Sequence, residues 1–221
     1  MEKRLLKKLI KKGVKIIDPK TIFIDETCEI ESGVTIYPNN FIYKNTKIAS
    51  GTILEENNHI SNCVIGRNNV ITNSYLEDSS VGENNHIGPY SRIRQGSKID
   101  DNVKLGNFVE IKKSEIKSHV KASHLTYVGD AIVGEYTNLG CGVIFCNYNG
   151  KDKFKTVVGK NCFIGSNVNL VAPVTIGDYA FISAGATVAK DIEKGKFVVG
   201  NRELKIKDDI KKIHIKENKS E

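Results

Sequence analysis

The chain of 221 residues carries 33 Lys and Arg against 26 Asp and Glu, a formal charge of +7, and the excess lies at its ends. Residues 1–20 hold eight basic groups against two acidic and residues 202–221 seven against five, while the stretch between is nearly neutral at 18 against 19. A nucleic-acid binder would set its basic residues in a folded stripe with aromatics for stacking, and the sequence shows none, so no nucleic-acid partner is expected. No apolar run reaches the roughly 20 residues needed to cross a bilayer, so no membrane span is expected.

The chain opens on Glu2-Lys-Arg-Leu-Leu-Lys-Lys-Leu-Ile-Lys-Lys12, which sets Leu5, Leu6, Leu9 and Ile10 on one side of a short helix and lysines on the other, with Gly13 as its stop. So small an apolar face predicts packing on the first coil or on a neighbouring subunit rather than a membrane surface. From Ile24 an aliphatic recurs every sixth residue: Ile24, Ile30, Ile36, Ile42, Ile48, Leu54 and Ile60. The period returns at Val81, Ile87, Ile93, Ile99, Leu105 and Ile111, and again at Val158, Ile164, Leu170, Ile176, Ile182 and Val188. Neither helix nor simple alternation has this spacing, and short fixed repeats mark an all-β solenoid in which stacked coils bury a core that no single coil could bury. Gly, Asn and Asp after each aliphatic supply the corners, because they tolerate positive φ.

Between Ile60 and Val81 the spacing shortens to five at Ile65, Leu76 and Val81, which predicts an adjusted register and looser corners there. Residues 114–157 are the least regular stretch, and the thirteen residues from Phe145 to Val158 predict a loop that leaves the prism and reaches over a neighbouring surface. The domain reading is therefore residues 1–13 as a helix, 14–200 as one solenoid and 201–221 as a basic tail, in which Ile206, Ile210 and Ile213 suit either a frail helix or disorder. Cys28, Cys63, Cys141, Cys146 and Cys162 are odd in number, lack CxxC spacing and follow no hydrophobic leader, so a reducing cytoplasm is expected, with the thiols as small core fillers. The histidines and cysteines are scattered, and no metal is predicted.

Lys104-Leu-Gly-Asn-Phe-Val-Glu-Ile-Lys-Lys113, Ser123-His-Leu-Thr-Tyr-Val-Gly-Asp130, Asn147-Tyr-Asn-Gly150 and Gly165-Ser-Asn-Val-Asn-Leu-Val-Ala-Pro-Val-Thr-Ile-Gly177 occur in this order. Together they closely resemble the C-terminal acetyltransferase domain of the bifunctional N-acetylglucosamine-1-phosphate uridyltransferase / glucosamine-1-phosphate N-acetyltransferase family, from about Val14 to about Arg202. The resemblance implies a left-handed parallel β-helix of hexapeptide repeats, a homotrimer with active sites between subunits, and acetyl transfer from acetyl-CoA to the amino group of glucosamine 1-phosphate, supplying cell-wall precursor synthesis. It implies His124 as the base, in keeping with an amine that must lose a proton near neutral pH. Arg94 and Lys112 match residues that hold the sugar phosphate, with Lys153 as a further cation; Tyr127 and Asn138 match sugar-contacting positions. Asn147 and Tyr148 match a pair near the reacting centre and the coenzyme. Cys141, Ser166 and Ala184 match the acetyl-CoA ledge, and Arg202, with Asn201 one register away, a basic residue near the coenzyme phosphates. Gln95 stands where the family usually has proline, Cys141 where it has alanine and Asn149 where it has aspartate. The uridyltransferase half has no counterpart in these residues, which implies an acetyltransferase that leaves the nucleotidyl step to a separate uridyltransferase. Two alternatives remain beside it: an acyltransferase of this fold using another amino sugar or nucleotide sugar, and a non-catalytic trimeric scaffold for such a partner.

Overall fold

The computed structural model describes residues 2–200, and the tail from 201 onward, with Arg202 and its possible helix, lies outside them. It is a parallel β-solenoid of about ten turns preceded by one short helix. Strands of two to four residues line three faces of eleven, ten and nine strands, all paired in parallel with the coil before and the coil after. The first face begins with Lys15–Ile16, the second with Phe23–Ile24 and the third with Glu29–Ile30, and the chain visits the faces in that order throughout. The first corner lies between the first and second faces, and the second corner between the second and third.

The aliphatic repeat is the core. Ile36, Ile42, Leu54, Ile60, Ile93, Ile111, Ile164, Leu170, Ile176 and Ile182 are wholly buried, one above another on their respective faces. Truncating any one to Ala would cost about 2–5 kcal/mol. Helix Glu2–Lys11 lays Leu6 and Leu9 into the same core at its open end, and the chain turns at Gly13 with φ +98°. Inside the corners a second, polar ladder climbs. Buried Asn58 donates through Nδ2 to the carbonyls of Glu55 (2.7 Å) and Ile71 (3.0 Å) and accepts from the Ser74 amide (2.9 Å), so the corner's backbone groups are satisfied without water.

The five-residue steps do not loosen the corners. Ile65, Leu76 and Val81 stay in the core, and Ser61, Asn62, Tyr75 and Asp78 remain in the ladder of backbone bonds; the corner is one residue shorter. The same device makes residues 114–157 regular after all: Ile116, Ala122, Val128, Val133, Leu139 and Phe145 continue the core on steps of five and six. The expected excursion is present at the second corner. After strand Ile144–Cys146 the chain forms a small hairpin in which Tyr148 pairs antiparallel with Lys153, and it rejoins the third face at Thr156–Val158. Of the thiols, Cys28, Cys63 and Cys162 fill the core as expected, whereas Cys141 and Cys146 are half-exposed at corners and fill nothing. No helix among the described residues is long and apolar enough to cross a membrane.

On the second face His59 sits between Tyr43 (4.9 Å) and Tyr75 (4.1 Å), with Nδ1 buried and unpartnered among the described residues. Burial pushes its pKa below the ordinary 6.5, against a weaker upward pull from Glu77. The unfolded chain therefore takes up a proton that the fold resists, and stability falls as pH drops below 6.5 toward the depressed folded value. Melting curves of wild type and His59→Phe between pH 7.5 and 5 should converge or cross, with the wild type losing Tm faster; parallel curves would refute the assignment.

Candidate active site

Parallel pairing aligns Leu105, Ala122, Leu139, Ile164 and Ile182 on the first face. The residue two places beyond each of them reaches the first corner, and these are Asn107, His124, Cys141, Ser166 and Ala184. Three residues that the sequence suggested for acetyl-CoA thus form one column, with His124 at its head. The His124 ring is exposed, and its Nδ1 lies 2.9 Å from Asn107 Oδ1. An amide oxygen can only accept, so Nδ1 carries the hydrogen and Nε2 keeps its lone pair free for a proton.

Below His124 the column is kept low. A Cβ on Gly140 would lie 2.6 Å from the Ser166 nitrogen, and one on Gly165 would lie 2.5 Å from the Ala184 nitrogen, so only glycine lets the coils close up here. The backbone amides of Cys141, Ser166 and Ala184 donate to no partner among the described residues. A ledge of short side chains with unpaired N–H groups suits an extended acyl carrier and a developing oxyanion. Along the same corner Tyr90, Phe108 and Leu125 take positive φ (59°, 57° and 46°) and are each more than half exposed, with the first two rings stacked at 5.4 Å.

The cations gather at the second corner. Arg94 Nη1 meets Glu110 Oε1 at 2.8 Å, and Lys112 Nζ meets Asp130 Oδ2 at 3.5 Å. Asn147, at the root of the hairpin, donates through Nδ2 to the same Asp130 oxygen. A Cβ on Gly129 would collide with Tyr127 Oη and lie 2.8 Å from Asn147 Nδ2, so the tyrosine lies across the face and both groups sit over the space a glycine leaves open. Lys153 comes back on the hairpin beside Lys112. The nearby Lys112 ammonium holds the Lys153 pKa below its ordinary value, and the Asp130 carboxylate beside Lys112 supports that residue's charge. Two ammonium groups side by side with one carboxylate leave a surplus of positive charge for an anion.

One chain therefore separates what the resemblance implies as a single site. His124, Cys141, Ser166 and Ala184 share the first corner; Arg94, Lys112, Asn147 and Lys153 share the second; Tyr127 spans the face between them. Asn138 opens its first-face strand beside Lys121, away from His124, and Tyr148 is exposed on the hairpin with its hydroxyl donating to the Gly150 carbonyl. Sequence reasoning missed Asn107, Glu110 and Asp130. The first was within reach, since the coil pitch alone puts Asn107 beside His124. The carboxylates gave no signal, because any exposed acid could have paired elsewhere.

The sequence matches the family model for bacterial transferase hexapeptides over residues 78–113 and 155–190. It is 44% identical over 208 residues to the bifunctional protein GlmU of Clostridium acetobutylicum, covering 94% of this chain and 46% of that protein. It is 43% identical over 210 residues to GlmU of Carboxydothermus hydrogenoformans, covering 95% and 47%. The chain spans about half the length of these relatives. Among solved structures it resembles the Arabidopsis UDP-N-acetylglucosamine acyltransferase (TM-score 0.62, 17% identity, 82% of this chain and 70% of that one) and LpxA of Acinetobacter baumannii (0.52, 21%, 85% and 71%), which shows the fold alone.

The bond to Asn107 fixes a tautomer that can be observed. Long-range proton–nitrogen NMR of wild type near pH 8 should show His124 as the Nδ1–H form, and Asn107→Ala should return it to the Nε2–H form usual for a free imidazole. An Nε2–H signal in the wild type would overturn the geometry.

Proposed function

The chain belongs to the hexapeptide-repeat transferases and is homologous over nearly its whole length to the C-terminal half of GlmU; on that premise we propose that it transfers an acetyl group from acetyl-CoA to the 2-amino group of glucosamine 1-phosphate. The observation that carries this reading is the first-corner column, in which an imidazole with a free Nε2 heads a ledge of small residues with unpaired amides.

In this reading the coenzyme lies along Cys141, Ser166 and Ala184 and brings its thioester carbon up to His124. The sugar amine attacks that carbon, and His124 Nε2 takes the proton the nitrogen sheds as the new bond forms. Amides of the ledge stabilise the negative charge on the carbonyl oxygen. Collapse breaks the carbon–sulfur bond, and the proton held by His124 is available to the departing thiolate. Arg94, Lys112 and Lys153 hold the phosphate, where a guanidinium fork and two point charges suit a dianion. Metal ions enter no part of this scheme. The product, N-acetylglucosamine 1-phosphate, is what a separate uridyltransferase in the cytoplasm would use.

The two corners lie at opposite ends of strand Tyr127–Gly129, three residues or about 10 Å apart along the backbone. A threefold assembly that brings the first corner of one copy to the second corner of the next would join them, and the apolar edge of Tyr90, Phe108 and Leu125 beside His124 suits such a junction.

Purified protein with acetyl-CoA and glucosamine 1-phosphate should release free thiol, and His124→Ala should lower the rate roughly 10²- to 10⁴-fold. Equal rates for the two would end the assignment of the base, and faster turnover of a competing amino sugar would reassign the acceptor. Co-expressed His124→Ala and Arg94→Ala chains, each inactive alone, should recover activity in mixed assemblies. No recovery would place the whole site within one chain.

A further inference from the structure

Asp130 occupies the second corner with φ +50°, in a conformation that earlier coils give to Asn45, Asn62, Asp78 and Gly96. Its backbone is tied on both sides: the amide donates to the Lys112 carbonyl at 3.0 Å, and the carbonyl accepts from the Thr156 amide at 3.3 Å. Its carboxylate is shared. Oδ2 faces Lys112 Nζ on the preceding coil and accepts from Asn147 Nδ2 on the following one. Asn147 is only 7% exposed and also roots the hairpin, its carbonyl accepting from the Phe154 amide at 2.8 Å. The Lys112 and Asp130 side chains are 13% and 22% exposed, so this contact is better shielded than the surface pairs elsewhere on the solenoid.

The shared carboxylate decides which end of Asn147 is offered outward. With Nδ2 held by an acceptor, Oδ1 is the atom left over, and it has no donor among the described residues. An amide that turned the other way would present N–H groups beside two ammonium groups, where only an anion is welcome. Turned as it is, it presents an acceptor next to the cation pair, which suits a ligand carrying both a phosphate and a hydrogen-bond donor such as an amine or hydroxyl. We propose that Asp130 is a positioning residue: it orients Asn147 so that Oδ1 accepts from the donor group of an amino-sugar phosphate, and it sets turnover rather than affinity for the phosphate. This deepens the acetyltransfer reading above and rests on it.

Asp130→Asn isolates the charge, because Asn adopts this backbone conformation at Asn45 and Asn62. In the full-length chain it should lower kcat roughly 10- to 100-fold, the scale expected when a reacting group loses its alignment. KM for the sugar phosphate should stay level or fall, since one negative charge has left the side of Lys112 and Lys153. In an Asn147→Ala background the same change should cost nothing further, because the two residues act as one unit. A kcat within about twofold of wild type, a rise in KM with kcat unchanged, or losses that multiply in the double variant would each overturn the proposal. The Asn147 side-chain amide resonances give a readout independent of activity. Their shift should move toward free-amide values in Asp130→Asn, and unmoved resonances would overturn the orientation. Should wild type release no thiol with any amino-sugar phosphate while those resonances still respond, the acetyltransfer reading fails and the orientation by Asp130 stands.

Discussion

In-register parallel pairing is the constraint on which this molecule depends. Each inward aliphatic must rest on the one a coil earlier, so whatever lies two residues beyond it is carried to the same corner on every coil. His124 stands beside Asn107 because Ala122 stands beside Leu105, and for no other reason. The coils can shorten by one residue at a corner without disturbing this, since Ile65, Leu76 and Ile116 still face inward after five-residue steps. A slip within a strand would be different in kind: it would turn a core isoleucine to solvent and bring a charged neighbour inside. The repeat therefore protects strand register strictly and leaves corner length free, and most of the candidate site residues lie at the corners.

The two corners used are opposite in character. At the first, side chains dwindle to Cys, Ser and Ala, and what is offered is backbone amides and one imidazole; at the second, side chains are long and charged. Two cations of the second corner have internal partners, Glu110 for Arg94 and Asp130 for Lys112, so these two charges are held in place within the fold. Holding long side chains in one geometry costs rotamer entropy, and partners on adjacent coils meet that cost in folding rather than in binding. The shared Lys112–Lys153 neighbourhood is the exception. There two ammonium groups share one carboxylate, so the positive charge is not fully balanced.

The aliphatic spacing made the solenoid legible, because burial in a stacked prism admits one period and the chain repeats it on every face. The thirteen residues after Phe145 made the hairpin legible, and the helix of Leu6 and Leu9 followed from its period. Residues 114–157 look irregular only against a strict period of six, and the five-residue steps at Ile116 and Val133 hide a continuing core. Cys141 and Cys146 looked like core fillers because composition says nothing of corners. The candidate residues could be named from the sequence, but not where the fold would put them. Which corner a residue reaches depends on how many residues each earlier corner consumed, and that sum is not visible in any local motif. Pairings such as Asp130 with both Lys112 and Asn147 depend on coils before and after it, with the hairpin intervening.

The hairpin shows how one corner can carry an insertion without weakening the prism. In a solenoid each coil answers only to its neighbours, so an insertion perturbs two interfaces and no more. Extending a corner loop adds little closure entropy, because that cost grows only with the logarithm of length. Here the insertion is pinned at its root by Asn147 and again by the Tyr148–Lys153 pairing. The stacked coils thus fix Lys112 and Asp130, while Lys153 is carried by a hairpin outside the stack. Lys153 therefore reaches the side of Lys112 from an insertion, at a position the coil period alone would not supply.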